Sequence, residues 1–561
     1  MSAVLGNKES GTGSPGWLDK ERTIAGPGFN RWLVPPAALA IHLCIGMAYG
    51  FSVFWLPLSK ALPGAAACAR GTGFWGGVMA GLAEFTATDC NWNISTLGWM
   101  FTLFFVFLGI AAAVWGGWLE HAGPRKAGLV AAVCWCGGML ISALGIQQHQ
   151  YWMMILGSGF IGGIGLGLGY ISPVSTLIKW FPDRRGMATG MAIMGFGGGA
   201  LIGTPLANLL MNHFATPTDV GVAPAFVAMA LIYFVFMVGG AFGYRVPPTG
   251  WKPAGWTPPA ANNAMITQRH VHVKKVWGIP QFWLVWLVLC MNVSAGIGVI
   301  GMASPMLQEV FGGSLIGLSG EGARFGALTP DQLKLIAGVG AGFTALLGLF
   351  NIGGRFFWAS MSDKFGRRLT YTIFFVLGGL LYASMPSSAA AGSVVAFVGA
   401  ACIILSMYGG GFATVPAYLG DLFGTQMVGA IHGRLLTAWS TAGILGPVVV
   451  NYMRDYQLSL GLPKSQVYNQ TMYILVGMLV VGLLCNLMIR PVADKHFMSE
   501  AELAEEKRLA HERAVAAEVG AGTGGGGQTS LVTVLLAWLA VGIPLAWGIY
   551  KALLTAAKFF H

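Results

Sequence analysis

The chain has 561 residues, of which 55% are hydrophobic, only 9% are charged and 84 are glycine. That balance excludes a soluble globular domain and is the profile of a polytopic membrane protein. The formal charge of +11 would suit a nucleic-acid binder, but the cations collect in short loops on one side of the apolar stretches, so the expected partner is a lipid bilayer and not nucleic acid.

Residues 1–30 are rich in Gly, Ser and charge and contain no apolar h-region; they are predicted to be a disordered cytoplasmic tail without a cleavable signal. Twelve apolar stretches of about 20 residues or more follow, starting near residues 33, 93, 127, 152, 187, 222, 281, 335, 370, 393, 429 and 470. With the N-terminus inside, the inner loops hold 14 Lys and Arg and the outer loops six, which places both ends of the twelve-span body in the cytoplasm. The expectation is an all-α, multi-pass protein of a bacterial inner (plasma) membrane.

Span 1 carries His42, Gly46, Tyr49 and Gly50 on one face. His42 reads either as a packed, hydrogen-bonded residue or as a proton carrier and second donor. Cys68 and Cys90 share the first outer loop, where they can pair as a disulfide or stay free. The other six cysteines lie in apolar spans as small buried hydrophobes, and no metal pattern is present. In span 4, Gly157, Gly159 and Gly162 spell a G-x-G-x-x-G string, but no strand precedes it, so close helix packing explains it, as it does the glycine face of span 5.

Span 8 sets the functional expectation. Thr344, Gly348, Asn351 and Arg355 form a small, polar stripe that reads as a cavity wall, and Arg355 lies about 12 Å inward of Asp363 at 1.5 Å per residue. An arginine at that depth costs roughly 2.5–3.5 kcal/mol and needs a partner. Every other Lys and Arg falls in a loop, a tail or at a span end, and so do all 21 acidic residues, so no built-in carboxylate is expected to neutralise it. A ligand anion is the economical partner, and the alternative is a purely structural Arg held by carbonyls and water. Tyr408 and Phe412 in span 10 and His432, Trp439 and Gly446 in span 11 share helix faces, as packing or as walls of a small polar cavity.

An offset of 243 maps Glu120, Gly123 and Arg125 onto Asp363, Gly366 and Arg368, and also Pro173, Gly186, Gly190 and Gly203 onto Pro416, Gly429, Gly433 and Gly446. The body is therefore a duplication, with a six-helix half at 31–245, a polar linker at 246–276 and a second half at 277–492. Halves with a site between them can rock about it, and Glu120, Arg125, Asp363 and Arg368 are expected to latch them as a gate. Residues 493–530 read as a charged helix and a Gly linker, and 531–561 as an extra transmembrane helix whose orientation the charge rule leaves open.

The two Gly, acid, Gly, basic turns resemble the signature of the major facilitator superfamily. GIGLGLGYISPVSTLIKWFPDRRGMATG (163–190), NIGGRFFWASMSDKFGRR (351–368) and VPAYLGDLFG (415–424) resemble its oxalate/formate antiporter family, over about residues 30–490. Residues 531–557 are similar to the one-span small subunit found with some of these carriers. The resemblance implies a twelve-span major facilitator fold plus one C-terminal hydrophobic helix, and transport of small organic carboxylates by alternating access. It puts Arg355 on the substrate carboxylate, with Tyr408, Phe412 and Tyr170 around it, no cofactor, and a monomer. Where the oxalate carrier has a lysine after Thr-Ala, this chain has Thr437, Ala438, Trp439, which favours a monoanion such as formate, lactate or pyruvate. Related proton-coupled carriers place an Asp where Asn351 stands, so proton symport through that pair is unsupported. The alternative is a carboxylate-binding membrane sensor that does not transport; no nucleophile or metal constellation supports an enzyme.

Overall fold

A computed structural model describes residues 17–557 apart from 72, 249–250, 254, 256–266, 268, 425, 507 and 510–528. Among the described residues, thirteen helices are long and apolar enough to cross a membrane. They are α1 (Arg31–Leu58), α2 (Ile94–Gly116), α3 (Pro124–Gln147), α4 (Tyr151–Val174), α5 (Ile193–Phe214), α6 (Val222–Gly243), α7 (Pro280–Gly301), α8 (Pro330–Phe365), α9 (Arg367–Ala390), α10 (Val394–Phe423), α11 (Val428–Ser459), α12 (Asn469–Met488) and α13 (Leu531–Ala557).

Local chemistry sets many of the ends. Thr329 caps α8 reciprocally with Gln332, ahead of Pro330 in the first turn, where a missing N–H costs nothing. Gly123 (φ 81°) and Gly366 (φ 85°) make the two matched turns in the same left-handed conformation, which a side chain would strain, so the duplication is visible in the backbone. Three spans are irregular inside the bilayer: α1 tightens to a 3-10 helix over Gly46–Phe54, α4 widens to a π-helix over Ile155–Gly162, and α11 breaks at Leu436. Non-helical backbone at that depth occurs where protein or a cavity satisfies it.

The two six-helix halves meet along α5 with α8 and along α2 with α11. Both seams close through glycine: a Cβ on Gly198 would strike Ile352, and one on Gly109 would strike Ser440. The Thr344 to Arg355 stripe thus lies against the glycine face of α5 and is not the wall of an open cavity. The glycine string of α4 packs on α3, with Gly157 against the carbonyl of Gly138.

At the face opposite the two matched turns, Cys68 and Cys90 are disulfide-bonded, and the loop they close carries a helix (Gly73–Ala83) that lies against Tyr452 of α11. The halves are shut together there. Trp99 Nε1 donates to Tyr452 Oη (2.6 Å), Trp55 Nε1 to the Gly301 carbonyl (2.8 Å), and Ser95 Oγ to Asp455. Behind this closure Arg454 Nε donates to Glu309 Oε2 (2.8 Å) and Nη1 to Asp455 Oδ1 (2.8 Å), while Tyr468 Oη donates to the same Glu309 oxygen (2.6 Å). Both partners are almost fully buried. This corrects the placement of Arg454 among the six cations of the outer loops and of Glu309 among the acids of loops, tails or span ends: instead α11 runs on past the apolar stretch, and the helix Ala303–Phe311 that follows α7 is folded in against it.

The extra helix is a thirteenth span, and its direction is set by what it touches. Thr529 meets Gly28 and Asn30, Trp538 Nε1 donates to the Trp32 carbonyl (3.1 Å), and at the other end Thr555 fills the space above Gly342. α13 therefore runs parallel to α1 and lies on α1 and α5 of the first half and α8 of the second. Lys551 is carried to the disulfide face, against the charge rule. Arg269, Lys275 and His272 of the linker pair with Asp494, Glu502 and Glu506. These are largely exposed pairs, each worth little. The remainder of the proposed charged helix, from 510 to 528, lies outside the described residues.

Candidate functional site

The guanidinium of Arg355 is fully buried where the halves meet. Its Nε donates to Asn351 Oδ1 (2.9 Å), one turn earlier on α8, and its Nη1 to the Ile193 carbonyl of α5 (2.9 Å). Charge-assisted bonds of this kind are worth about 1.5–3 kcal/mol each, which offsets the cost of holding the cation at this depth. Nη2 has no hydrogen-bond partner among the described residues. Two of its three nitrogens are thus held by the protein, and the third points to no acceptor among the described residues.

Around that free end stands an aromatic cage. Phe412 faces the guanidinium, 5.6 Å from its carbon, and Trp439 packs on Phe412 at 4.4 Å. Trp439 also meets Tyr170 (5.2 Å), Phe196 (5.5 Å) and Phe105 (5.5 Å). Tyr49 and Tyr408, from opposite halves, share a 2.7 Å hydrogen bond and close the other side. Tyr49 sits in the 3-10 stretch of α1. Besides Arg355 Nη2, three buried donors of this cluster lack partners in the described structure: Asn351 Nδ2, Tyr170 Oη and Trp439 Nε1. Four unsatisfied donors and one fixed positive charge are thus gathered with no carboxylate among them, a set whose chemistry is complementary to a small anion.

Seven of the residues read from sequence as substrate-binding are thus brought together: Arg355, Asn351, Tyr170, Tyr408, Phe412, Trp439 and Tyr49. His42 is beside the cage but turned away, with Nε2 donating to the Tyr170 carbonyl (3.1 Å) and its ring stacked on Tyr170. It occupies the packed, hydrogen-bonded role. Sequence reasoning missed Phe105, Phe196 and the Ile193 carbonyl. The signal for α5 was its spacing: Ile193, Phe196 and Gly197 lie within one turn.

The expected gate differs. Asp363 pairs with Arg367 (2.5 Å), not with Arg368, and Arg367 reaches Asp421 of α10 (3.5 Å). Arg368 donates to the Leu487 carbonyl of α12, and Arg125 to the Trp17 carbonyl (2.9 Å) while lying over Phe242 of α6. The side chain of Glu120 lies outside the described residues. In this conformation, with the halves apart on that face, each of these contacts stays within its own half. Contacts that do cross the seam are found at the disulfide face and in the buried centre, where Arg355 meets Ile193 and Tyr49 meets Tyr408.

On the matched-turn face the halves separate around a cavity of about 440 Å³ between α2, α4 and the first turns of α11. Tyr170, His432 and Arg434 line it, together with small residues such as Ala112, Gly116, Gly429 and Gly433. Tyr170 is the wall it shares with the cage.

A twelve-span duplicated body with an arginine buried between its halves already resembles a facilitator, and residues 64–447 match the Major Facilitator Superfamily. The chain belongs to that superfamily. This facilitator is 30% identical to the oxalate:formate antiporter of Oxalobacter formigenes over 286 residues, which is 51% of this chain and 59% of that carrier. It is 22% identical to apicoplast pyruvate carrier 1 of Toxoplasma gondii over 457 residues, covering 70% and 78% of the two chains. Among solved structures, the D-xylose-proton symporter superposes with a TM-score of 0.57 at 14% identity, over 82% of the facilitator and 98% of the symporter. A bacterial homologue of the lysosomal transporter Spinster, in an inward-facing conformation, superposes with a TM-score of 0.52 at 14% identity, over 95% and 98% of the two chains. These two likenesses are of fold.

Proposed function

We propose that this facilitator is a secondary carrier that exchanges small carboxylate anions across a bacterial inner membrane by alternating access, with its N-terminus in the cytoplasm. The observation that carries the reading is the free Nη2 of Arg355, buried between the halves among three more unpartnered donors. Arg355 belongs to α8 and the Ile193 carbonyl it holds to α5, so an anion bound here touches both halves and can couple its presence to their movement. A single cation with Trp439 beside it suits a monocarboxylate, since a second carboxylate would be desolvated without a partner. The names of the two relatives, an oxalate:formate antiporter and a pyruvate carrier, support the same substrate class.

The test is exchange in proteoliposomes over a panel of formate, lactate, pyruvate and oxalate. Arg355→Ala, confirmed to insert and to keep its thermal transition, is expected to abolish exchange of every acid the wild type accepts. Exchange at the wild-type rate refutes the assignment. Binding that stabilises the protein without any counterflow would make it a sensor.

A further inference from the structure

The cavity on the matched-turn face is more than an approach. Because Trp55, Ser95 and Trp99 close the other face, an anion bound for Arg355 in this conformation must pass it. Stripping water from a carboxylate costs several kcal/mol unless donors replace it on the way. Two residues that line the cavity carry a buried polar atom without a partner among the described residues: Nε2 of His432 and Oη of Tyr170. Arg434 adds positive charge at the entrance, where its Nη1 is held by the Val273 carbonyl.

The backbone supports the same reading. His432 and Trp439 are seven residues apart, about 10 Å along the helix axis, and the break in α11 at Leu436 falls between them. The broken turn separates a short helix that lines the cavity from the helix that carries the cage. Tyr170, packed on Trp439 from the cage side, stands between the two.

We propose that His432 and Tyr170 form a vestibular binding site, where a small carboxylate is held before it passes Tyr170 to reach Arg355. The site rests on the reading of Arg355 as the central anion partner and adds a stop on the path to it. His432 contributes its unpartnered ring nitrogen, Tyr170 a hydroxyl on the wall that cavity and cage share, and Arg434 the field that gathers anions. The ligand class is the same small carboxylates.

Two sets of variants test it, in the full-length protein in proteoliposomes, with the acid of the panel that the wild type exchanges best. His432→Ala is expected to raise the half-saturation concentration for exchange about tenfold, with His432→Gln, which keeps an N–H, restoring most of it. Should His432→Ala fail to fold, Gly433 offers an independent route, since a side chain there meets nothing within 4 Å. Gly433→Asp sets a negative charge in the cavity and is expected to raise half-saturation at least about tenfold, while the isosteric Gly433→Asn leaves it within about twofold. Arg355→Ala runs alongside. If it abolishes exchange while Gly433→Asp and His432→Ala behave as wild type, the vestibular site is wrong and the central assignment stands. If it leaves exchange intact, the central assignment falls and the vestibular site falls with it.

Discussion

Gly197→Ala gives the sharpest test of how Arg355 is aimed. A Cβ at Gly197 would stand 2.5 Å from Asn351 Oδ1 and 3.0 Å from Arg355 Nε. Contacts under 3.0 Å are not tolerated, so the amide must retreat by about 0.5 Å, which takes its 2.9 Å bond to Nε out to as much as roughly 3.4 Å. A charge-assisted bond of about 1.5–3 kcal/mol is then lost, and with it the fixed orientation of the guanidinium. Carboxylate affinity is expected to fall about 10- to 100-fold, read from the ligand concentration needed to raise the melting temperature in detergent. Gly198→Ala is the control. Its Cβ would meet the flexible end of Ile352 at 2.6 Å, on the same seam but away from the cation, so it disturbs packing and not the site. If the two variants weaken binding equally, seam packing and not the aim of Arg355 is being measured; if Gly197→Ala binds as wild type, the geometry argued here is wrong.

Glu309→Gln is expected to destabilise the folded protein by about 3 kcal/mol at pH 7, toward the lower end for a broken buried ion pair because Arg454 keeps Asp455. Replacing Glu309 and Arg454 together by Leu should recover most of that loss, and a double variant no better than the single one would refute the pairing. Burial would raise the Glu309 pKa, but Arg454, Lys464 and Tyr468 together hold it below the usual carboxylate value. A depressed folded pKa contributes stability that is present above the unfolded value of about 4.3 and lost as pH falls through the folded one. The contribution should therefore be flat from pH 7 to 5 and fade only in stronger acid, in a melting series that compares wild type with Glu309→Gln. Trp439→Lys replaces the ring packed on Phe412 with a second cation and is expected to raise the oxalate to formate exchange ratio about tenfold; an unchanged ratio would remove Trp439 from the cage wall. Gly548→Leu puts a side chain against the Leu201 carbonyl, 2.7 Å from its Cβ, and is expected to displace α13 at a cost of about 1–3 kcal/mol in melting without changing carboxylate affinity.

Much of this was legible before any coordinates, and the reasons are physical. Apolar length found the spans, because a bilayer tolerates little else, and the 243-residue offset found the duplication that Gly123 and Gly366 carry in their backbone angles. Arg355 stands out because a cation deep in an apolar span, with no carboxylate inside any span, needs some other partner, be it a ligand anion or the protein's own carbonyls. What escaped was set by packing. Whether Arg454 is a loop residue or a buried partner of Glu309 depends on how far α11 continues beyond its apolar stretch, and hydropathy cannot say. His432 lies on the same helix face as Trp439, yet only the break at Leu436 and the glycine-lined gap opposite put it in a cavity. The acid and base turns read as a latch across the halves; with the halves apart on that face, Asp363 is held instead by Arg367 one helical turn away.

Thirteen is an odd number, and the polypeptide therefore enters α1 and leaves α13 on opposite sides of the bilayer. A reporter placed before Arg31 and another placed after Ala557 would sample two different compartments, which turns the direction of α13 into a simple experiment. The helix that makes the count odd is also the one that rests on both halves.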